Sequence, residues 1–316
     1  MPATTPMTPE AGENANTTTI SVLVCTRGRG DTVRMALDSI LSIPDNTFEL
    51  VLIDQNPDCS TKQAVLPYLH DARLKYVHAS DTKGLGLAHN LGMEHSSGSI
   101  VAITDDDCTV PADWLEQIKD VFESHPNVGI VFCSVMPGEH DAKLGFIPGF
   151  ECKRERIIAN PFTWRGGIGA GMAVRRTAVE AIGGFDALLG PGAVFPAADD
   201  CDIAIRMVIN GYQICETNRT LVTHYGFRTF EEGKELTKRD SYGYGAAMSK
   251  HIAARNIPMI VSIFLNFLYF VKVVVVASVK HRKPTGAKRL VYFILGLASG
   301  LTYSIDRKTM RFLSQR

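Results

Sequence analysis

The 316-residue chain has no CxxC pair, and its seven cysteines are odd in number. Cys25, Cys59, Cys108, Cys133, Cys152, Cys201 and Cys215 are scattered, several of them inside apolar runs. That pattern excludes a disulfide framework or a zinc ribbon and reads as buried thiols in a reducing compartment. Net charge is missing too. The 33 Lys+Arg balance 33 Asp+Glu, so no general field attracts nucleic acid and no nucleic-acid partner is expected. Residues 1–18 are rich in Thr, Pro, Ala and Asn and hold no apolar core. They are expected to form a flexible cytoplasmic leader, not a signal peptide or anchor. No repeat period is visible. The glycine loops are incomplete: Gly84-Leu-Gly86 lacks the third glycine of a dinucleotide fingerprint, and Gly28-Arg-Gly30 is not followed by the Lys-Ser/Thr of a phosphate loop. Both loops either let backbone approach a nucleotide or are simply turns.

What is present is an ordinary globular composition, 45% hydrophobic and 21% charged, long enough for one large α/β domain with an appendage. The neutral total hides a split. From Lys272 to Arg316 there are ten Lys/Arg against Asp306 alone, so the tail is net +9 and the rest net −9. An acidic body with a basic, apolar tail points to an anionic membrane surface.

Apolar β-branched runs at 20–25, 48–54, 74–77 and 100–103 read as strands. Between them lie three helices. The first is expected to have Asp31 as N-cap and to bury Val33, Ala36, Leu37, Ile40 and Leu41; the second is expected to have Ser60 as its cap; the third runs to about Ser96. This alternation predicts crossover units and a doubly wound, mostly parallel sheet. Beyond it, 114–122 reads as a helix, 128–135 as a strand and 136–165 as mixed loop. A strand over 170–174, helices over 177–182 and 200–210, and two short strands over 212–215 and 221–224 follow, with Gly211 as a helix stop.

Chemistry concentrates in two acidic groups. Asp105-Asp106-Asp107 follows an apolar strand, where open α/β sheets place their ligands. Three adjacent carboxylates repel one another, and no fixed cationic side chain is evident beside them in the sequence. They read either as a solvated acidic turn or as hard oxygen ligands for Mg²⁺ or Mn²⁺, with a pyrophosphate completing the shell. Asp199, Asp200 and Asp202 open a helix. One of them would serve as a cap, and three exceed what capping requires. A carboxylate there is suited to take the proton of an attacking hydroxyl. His224, at a strand end, is either structural or a further metal ligand. Asp54 either bonds a base or ribose or is a turn residue. Trp164 and Asp202 are candidates for the acceptor side, Trp164 as a sugar-stacking ring or a core tryptophan.

Taken in order, several segments resemble the family 2 glycosyltransferases, inverting enzymes of GT-A fold. They are Val-Leu-Val-Cys-Thr-Arg-Gly-Arg, Leu-Val-Leu-Ile-Asp-Gln-Asn-Pro-Asp, Lys83-Gly-Leu-Gly-Leu-Ala-His-Asn90, the Asp105–Asp107 triplet, Gly183-Gly-Phe-Asp186 and Asp199-Asp200. The resemblance implies a Rossmann-like, mostly parallel sheet flanked by helices. It also implies metal-dependent transfer of one sugar from a nucleotide-diphosphate sugar, with a UDP-sugar as the expected donor. Thr26, Arg27 and Asp54 would line the nucleotide pocket, with Lys83 and Asn90 near ribose or diphosphate. Asp105 and Asp106 would face ribose or sugar, Asp107 and His224 the metal or diphosphate, and Asp200, beside Asp199, would be the base. Asp199-Asp200 stands where the family usually has Glu-Asp. No Gln-x-x-Arg-Trp follows, which disfavours processive synthases. A nucleotidyltransferase, which leaves Asp199-Asp200 without a task, and a non-catalytic membrane-associated nucleotide-sugar-binding protein, which needs a missing base or missing metal carboxylates, are the competing readings.

The expected division is a catalytic unit over 19–256, its nucleotide half 19–110 and its acceptor half 111–256, and a membrane-associated tail over 257–316. Residues 257–279 are long enough to span a bilayer, and 290–301 are not. The basic linker 280–289 favours a tail lying on the cytoplasmic face, near a glycan or lipid-linked acceptor. Oligomeric state is not written in the sequence.

Overall fold

The computed structural model describes residues 19–161, 166–281 and 286–315; Trp164 therefore lies outside the described residues. Strands β1 (Ile20–Thr26), β2 (Glu49–Asp54), β3 (Leu74–His78) and β4 (Ile100–Asp105) alternate with helices α1 (Val33–Leu41), α2 (Ser60–Val65) and α3 (Leu85–His95). Then come β5 (Cys108–Thr109), α4 (Trp114–Ser124), β6 (Val128–Pro137), β7 (Gly145–Phe146), β8 (Arg156–Ile158), β9 (Met172–Arg175), α5 (Arg176–Ala181), α6 (Asp199–Ile209) and β10 (Gln213–His224). The chain continues through β11 (Arg228–Thr229), α7 (Phe230–Ala253), α8 (Ile257–His281), α9 (Ala287–Gly300) and the hairpin β12 (Tyr303–Asp306) and β13 (Arg311–Gln315).

The main sheet runs β3-β2-β1-β4-β9-β6-β10-β5, with β8 beside β10. The first four strands are mutually parallel, while β9 is antiparallel to both β4 and β6, so the sheet is mixed. Its first strands are apolar throughout because each face is covered. Val22, Val24, Leu50 and Leu52 join one core cluster with α1 and the buried Trp114 of α4. Leu23, Val51 and Ile53 alternate into a second, formed with α3, α5 and α6.

Several local expectations are corrected. Thr32, not Asp31, precedes α1, and Cys59, not Ser60, precedes α2. Asp58 instead accepts the Ser60 amide (3.0 Å) and hydroxyl (2.6 Å), ordering the turn one residue earlier. The two strands expected after α6 are one, β10, interrupted between Thr217 and Leu221. The region expected as loop contains β7 and β8, too short for any periodicity to reveal. Helix α7 had no expectation because it buries Gly243, Gly245, Ala246 and Ala247, not a stripe of large aliphatics. Its reciprocal Thr229–Glu232 capping box was the available signal.

The tail does not act as one apolar pair. Helix α9 lies directly on α7: a Cβ on Gly296 would stand 1.9 Å from the Tyr242 carbonyl oxygen, and one on Gly245 2.1 Å from that of Phe293. The backbones touch where glycine removes the side chain. The hairpin joins a third core cluster, with Phe312 against Phe195 at 5.0 Å between ring centroids. Helix α8, in contrast, exposes Phe264, Leu265, Val273 and Val276. Its stretch Ile257–Val276 is, among the described residues, the one helix long and apolar enough to cross a membrane.

Because the α7–α9 crossing leaves no room for a side chain, Gly296→Val is expected to lower stability by about 3 kcal/mol, the scale of overpacking a tight core. Thermal or urea unfolding of the detergent-solubilised chain measures it. Unchanged unfolding would mean that α9 is not docked on α7.

Candidate active site

Sheet register builds the site. Thr26 pairs with Asp54 across β1 and β2, and Cys25 with Asp105 across β1 and β4, so three polar residues end neighbouring strands together. Antiparallel pairing of β10 with β5 sets His224 opposite Cys108. The aspartate triplet is thereby enclosed between β1 and β10.

The chain itself partly balances the triplet. Buried Asp106 accepts the Thr26 hydroxyl (2.6 Å) and Arg29 (3.1 Å), and Arg29 also pairs with Asp107. The expectation of a triplet without a cationic neighbour is therefore corrected: Arg29, four residues beyond Cys25, loops back onto it. The other Asp107 oxygen, Oδ1, is buried without a hydrogen-bond partner and stands 3.3 Å from His224 Nε2. His224 Nδ1 lies 2.9 Å from the Pro148 carbonyl, an acceptor, so the Nδ1 proton is donated there and Nε2 turns toward Asp107. A lone pair facing a carboxylate is favourable only with a proton or a cation between them. Burial opposes charge on His224, but Asp107, the Pro148 carbonyl and Asp105 outweigh it and raise its pKa.

Donor atoms of Asp105, Asp107, Cys108 and His224 all lie within 4.8 Å of one another. Burial and the Asp105 charge push the Cys108 thiol up, so it stays protonated and the usable set is Asp105, Asp107 and His224. Those hard oxygen and imidazole donors, with an orphaned carboxylate oxygen among them, fit Mn²⁺ or Mg²⁺. Gly226 keeps the place open, since a Cβ there would stand 2.4 Å from His224 Nε2. Burial first, then the Asp107 and Asp106 charges, push the Asp105 carboxyl up to about 7. A cleft of about 270 Å³ lies beside it, lined by Thr26, Arg27, Arg29, Gln55, Asp105 and Gly192 among others.

Asp54 is fully buried and accepts the Asn56 amide (2.9 Å), the Asn56 side chain (2.8 Å) and the Tyr76 hydroxyl (2.7 Å). Asn56 in turn accepts the Gly28 amide. Asp54 thus orders the loop that carries Arg27 and Arg29. Arg27 reaches the Thr82 carbonyl at 3.4 Å, and Lys83 is exposed at the head of α3. Asn90 is committed at both ends of its amide to the Phe185 backbone, at 2.8 and 3.0 Å, which locks α3 to the 183–186 turn.

Helix α6 follows Ala198, whose φ of 71° sets a sharp entry. Asp200 accepts the Cys201 amide (2.7 Å) and the Gly169 amide (3.2 Å). Burial outweighs these bonds and raises its carboxyl. Burial, then the Asp200 charge, pushes Asp199 up to about 8, and Asp105 adds to the rise, so the two acidic groups sense each other. His89 Nδ1 lies 4.0 Å from Asp199, and burial brings that imidazole down to about 3, so it is neutral. Asp202 is apart from these. It is buried with one oxygen 2.5 Å from Lys250 Nζ and the other 2.8 Å from Arg206 Nε, which leaves none for an acceptor. Arg29, Gln55 and Gly226 were not anticipated. The paired arginines of the Arg27-Gly-Arg29 loop were the signal for the first.

The family model for glycosyl transferase family 2 matches residues 21–183, just over half of the chain. The chain belongs to glycosyl transferase family 2. A relative in Haloferax volcanii, glucosyl-dolichyl phosphate glucuronosyltransferase, is 25% identical over 223 residues, 66% of this chain and 71% of that protein. Among solved structures, a mannosyltransferase from Pyrobaculum calidifontis in complex with GDP-Man and Mn²⁺ is similar with a TM-score of 0.62 at 18% identity. It covers 89% of this chain and 86% of that one. S. aureus TarS in complex with UDP-GlcNAc is similar with a TM-score of 0.51 at 16% identity, over 71% and 66%. These likenesses establish the GT-A fold of this family 2 member.

Asp199 gives a pH dependence of stability. Its folded pKa of about 8 lies above an ordinary value near 4, so its proton stabilises the fold fully below pH 4, and that contribution is lost as pH rises through 8. In chelator-containing buffer the wild-type Tm should fall between pH 5 and 8. Asp199→Asn should remove its share of that fall, leaving the slopes of like sign from Asp105, Asp200 and Asp240 and the opposing ones from the buried His89 and His251. Parallel curves for the two proteins would refute a protonated Asp199.

Proposed function

We propose that the chain transfers a single sugar, with inversion, from a nucleotide-diphosphate sugar to a hydroxyl of a glycan or lipid-linked acceptor at the cytoplasmic face of a membrane. The donor would occupy the 19–110 half and the acceptor the 111–256 half. The observation that carries this reading is the different balancing of the two acidic groups. The triplet has cationic and imidazole partners, whereas Asp200 is held only by backbone amides.

Asp105, Asp107 and His224 would hold Mn²⁺ or Mg²⁺, which neutralises charge gathering on the departing diphosphate. Arg29 places a second cation at that edge of the cleft, and Thr26 and Arg27 line the nucleotide side. Asp199, with a pKa near 8, keeps its proton at neutral pH, so Asp200 is the carboxylate available to take the acceptor proton. The two amides on Asp200 fix its orientation.

The mannosyltransferase in complex with GDP-Man and Mn²⁺ supports a metal. The UDP-GlcNAc complex shows that the fold also accepts a uridine donor, so a UDP-sugar and a GDP-sugar both belong in the test. The dolichyl phosphate in the Haloferax relative's name supports a lipid-linked acceptor. The apolar exterior of α8, with Lys288 and Arg289 exposed at the start of α9, supports a tail lying on anionic headgroups.

A donor panel scored by nucleoside-diphosphate release tests the reading. Release should require Mn²⁺ or Mg²⁺. Asp200→Asn should leave donor affinity nearly intact and lower turnover roughly 10²–10⁴-fold, the scale of general-base catalysis. Full release in excess chelator would remove the metal. A crippled Asp199→Asn beside an active Asp200→Asn would move the base by one residue.

A further inference from the structure

Helices α7, α8 and α9 enclose a cavity of about 290 Å³ that the reaction above leaves unused. One side is apolar: Tyr244 of α7, Phe270 of α8, and Leu290 and Phe293 of α9. The other presents Thr237, Asp240 and Ser241 of α7 and Arg289 of α9. Its inner wall abuts the start of α6. Tyr244 stacks toward Phe293 at 5.8 Å and packs in the same cluster as Cys201, the neighbour of Asp200. Gly243 lies so close to Ala197 that a Cβ would stand 2.7 Å from the Ala197 carbonyl oxygen. Its outer side includes α8, whose exposed Phe264, Leu265 and Leu268 continue the apolar surface.

We propose that this cavity receives the headgroup end of a phosphorylated lipid acceptor. The phosphate lies on Arg289, the first carbons of the chain on Phe270, Leu290 and Phe293, and the sugar-bearing side points past Tyr244 toward Asp200. The proposal rests on the reading of Asp200 as the base. Three observations select this occupant. The wall formed by Tyr244, Phe270, Leu290 and Phe293 would be left unmatched by a soluble glycan, whereas an acyl or isoprenoid chain covers it. Arg289, the cation that lines the cavity among the described residues, suits a phosphate at the end of such a chain. The apolar outer face of α8 offers the chain a continuous path to a bilayer. Asp240 lies between the two ends. Burial raises its carboxyl to about 6 and the Asp200 charge adds to the rise, while Arg239 and, less strongly, Arg289 pull it down. That position suits a hydrogen bond to a sugar hydroxyl.

The test uses the full chain in a nonionic maltoside detergent, labelled with a benzophenone-bearing farnesyl monophosphate and mapped by mass spectrometry. Label should fall on α7 and α9 around Tyr244, Leu290 and Phe293. Excess farnesyl monophosphate should compete, and farnesol or phosphatidylglycerol should not. Arg289→Glu should reduce labelling at least tenfold; because Arg289 is exposed, a circular dichroism spectrum matching the wild type is expected. Competition by farnesol, competition by phosphatidylglycerol, or label confined to the outer face of α8 would each overturn the proposal. Mn²⁺-dependent donor binding is measured on the same wild-type preparation. Donor binding without labelling sinks the cavity alone, and labelling without donor binding sinks the transferase reading instead.

Discussion

Six aspartates crowd the end of β4 and the first turn of α6, where water is too sparse to screen them, and each must be balanced in its own way. An unpaired buried charge costs several kcal/mol, so the mode of balancing sets what each carboxylate can do. Asp106 is paired with Arg29 and accepts the Thr26 hydroxyl, although burial still raises its carboxyl. Asp202 is neutralised by Lys250 and Arg206. Asp105 and Asp199 lack a close cation and are pushed toward neutrality, to about 7 and about 8. Asp107 is the intermediate case, lowered on balance because His224 and Arg29 overcome its burial. Asp200 has backbone amides alone. A carboxyl that is oriented by amides, not paired with a cation and raised by its burial is suited to accept a proton.

The same balancing ties the C-terminal part to helix α6. Lys250 of α7 is fully buried, 2.7 Å from Asp186 and 2.5 Å from Asp202. Asp186 also accepts the Phe312 amide of β13 at 2.8 Å. Helix α6, the 183–186 turn, α7 and the terminal hairpin therefore meet at one ammonium group. Removing one partner of such a cluster strands the others, so the position of Asp199 and Asp200 depends on residues far along the chain. The expectation of a membrane-associated tail over 257–316 said nothing of this contact.

Legibility followed local chemistry. The strands and helices through residue 105 were readable because two-sided burial makes each strand an apolar run bounded by turns, and the family segments lie on those turns. The approach of His224 to Asp107 was readable as a strand-end histidine beside acidic groups. Arg29 was not, because its return to the triplet depends on how Asp54 and Asn56 hold the 27–30 loop. Asn90 and Asp202 were assigned by segment resemblance, and their side chains are bound to the Phe185 backbone and to Lys250. No neighbour in sequence reports those partners. Helix α7 hid behind glycine and alanine, which carry no hydrophobic period although they form its close contact with α9.

The central claim is that a single carboxylate acts opposite a departing diphosphate, which requires one displacement at the sugar carbon. The most direct measurement is the anomeric configuration of the first product, followed by proton NMR at early times with whichever nucleotide sugar the chain turns over. One displacement predicts a product of configuration opposite to that of the donor. A product that retains the donor configuration would contradict the account.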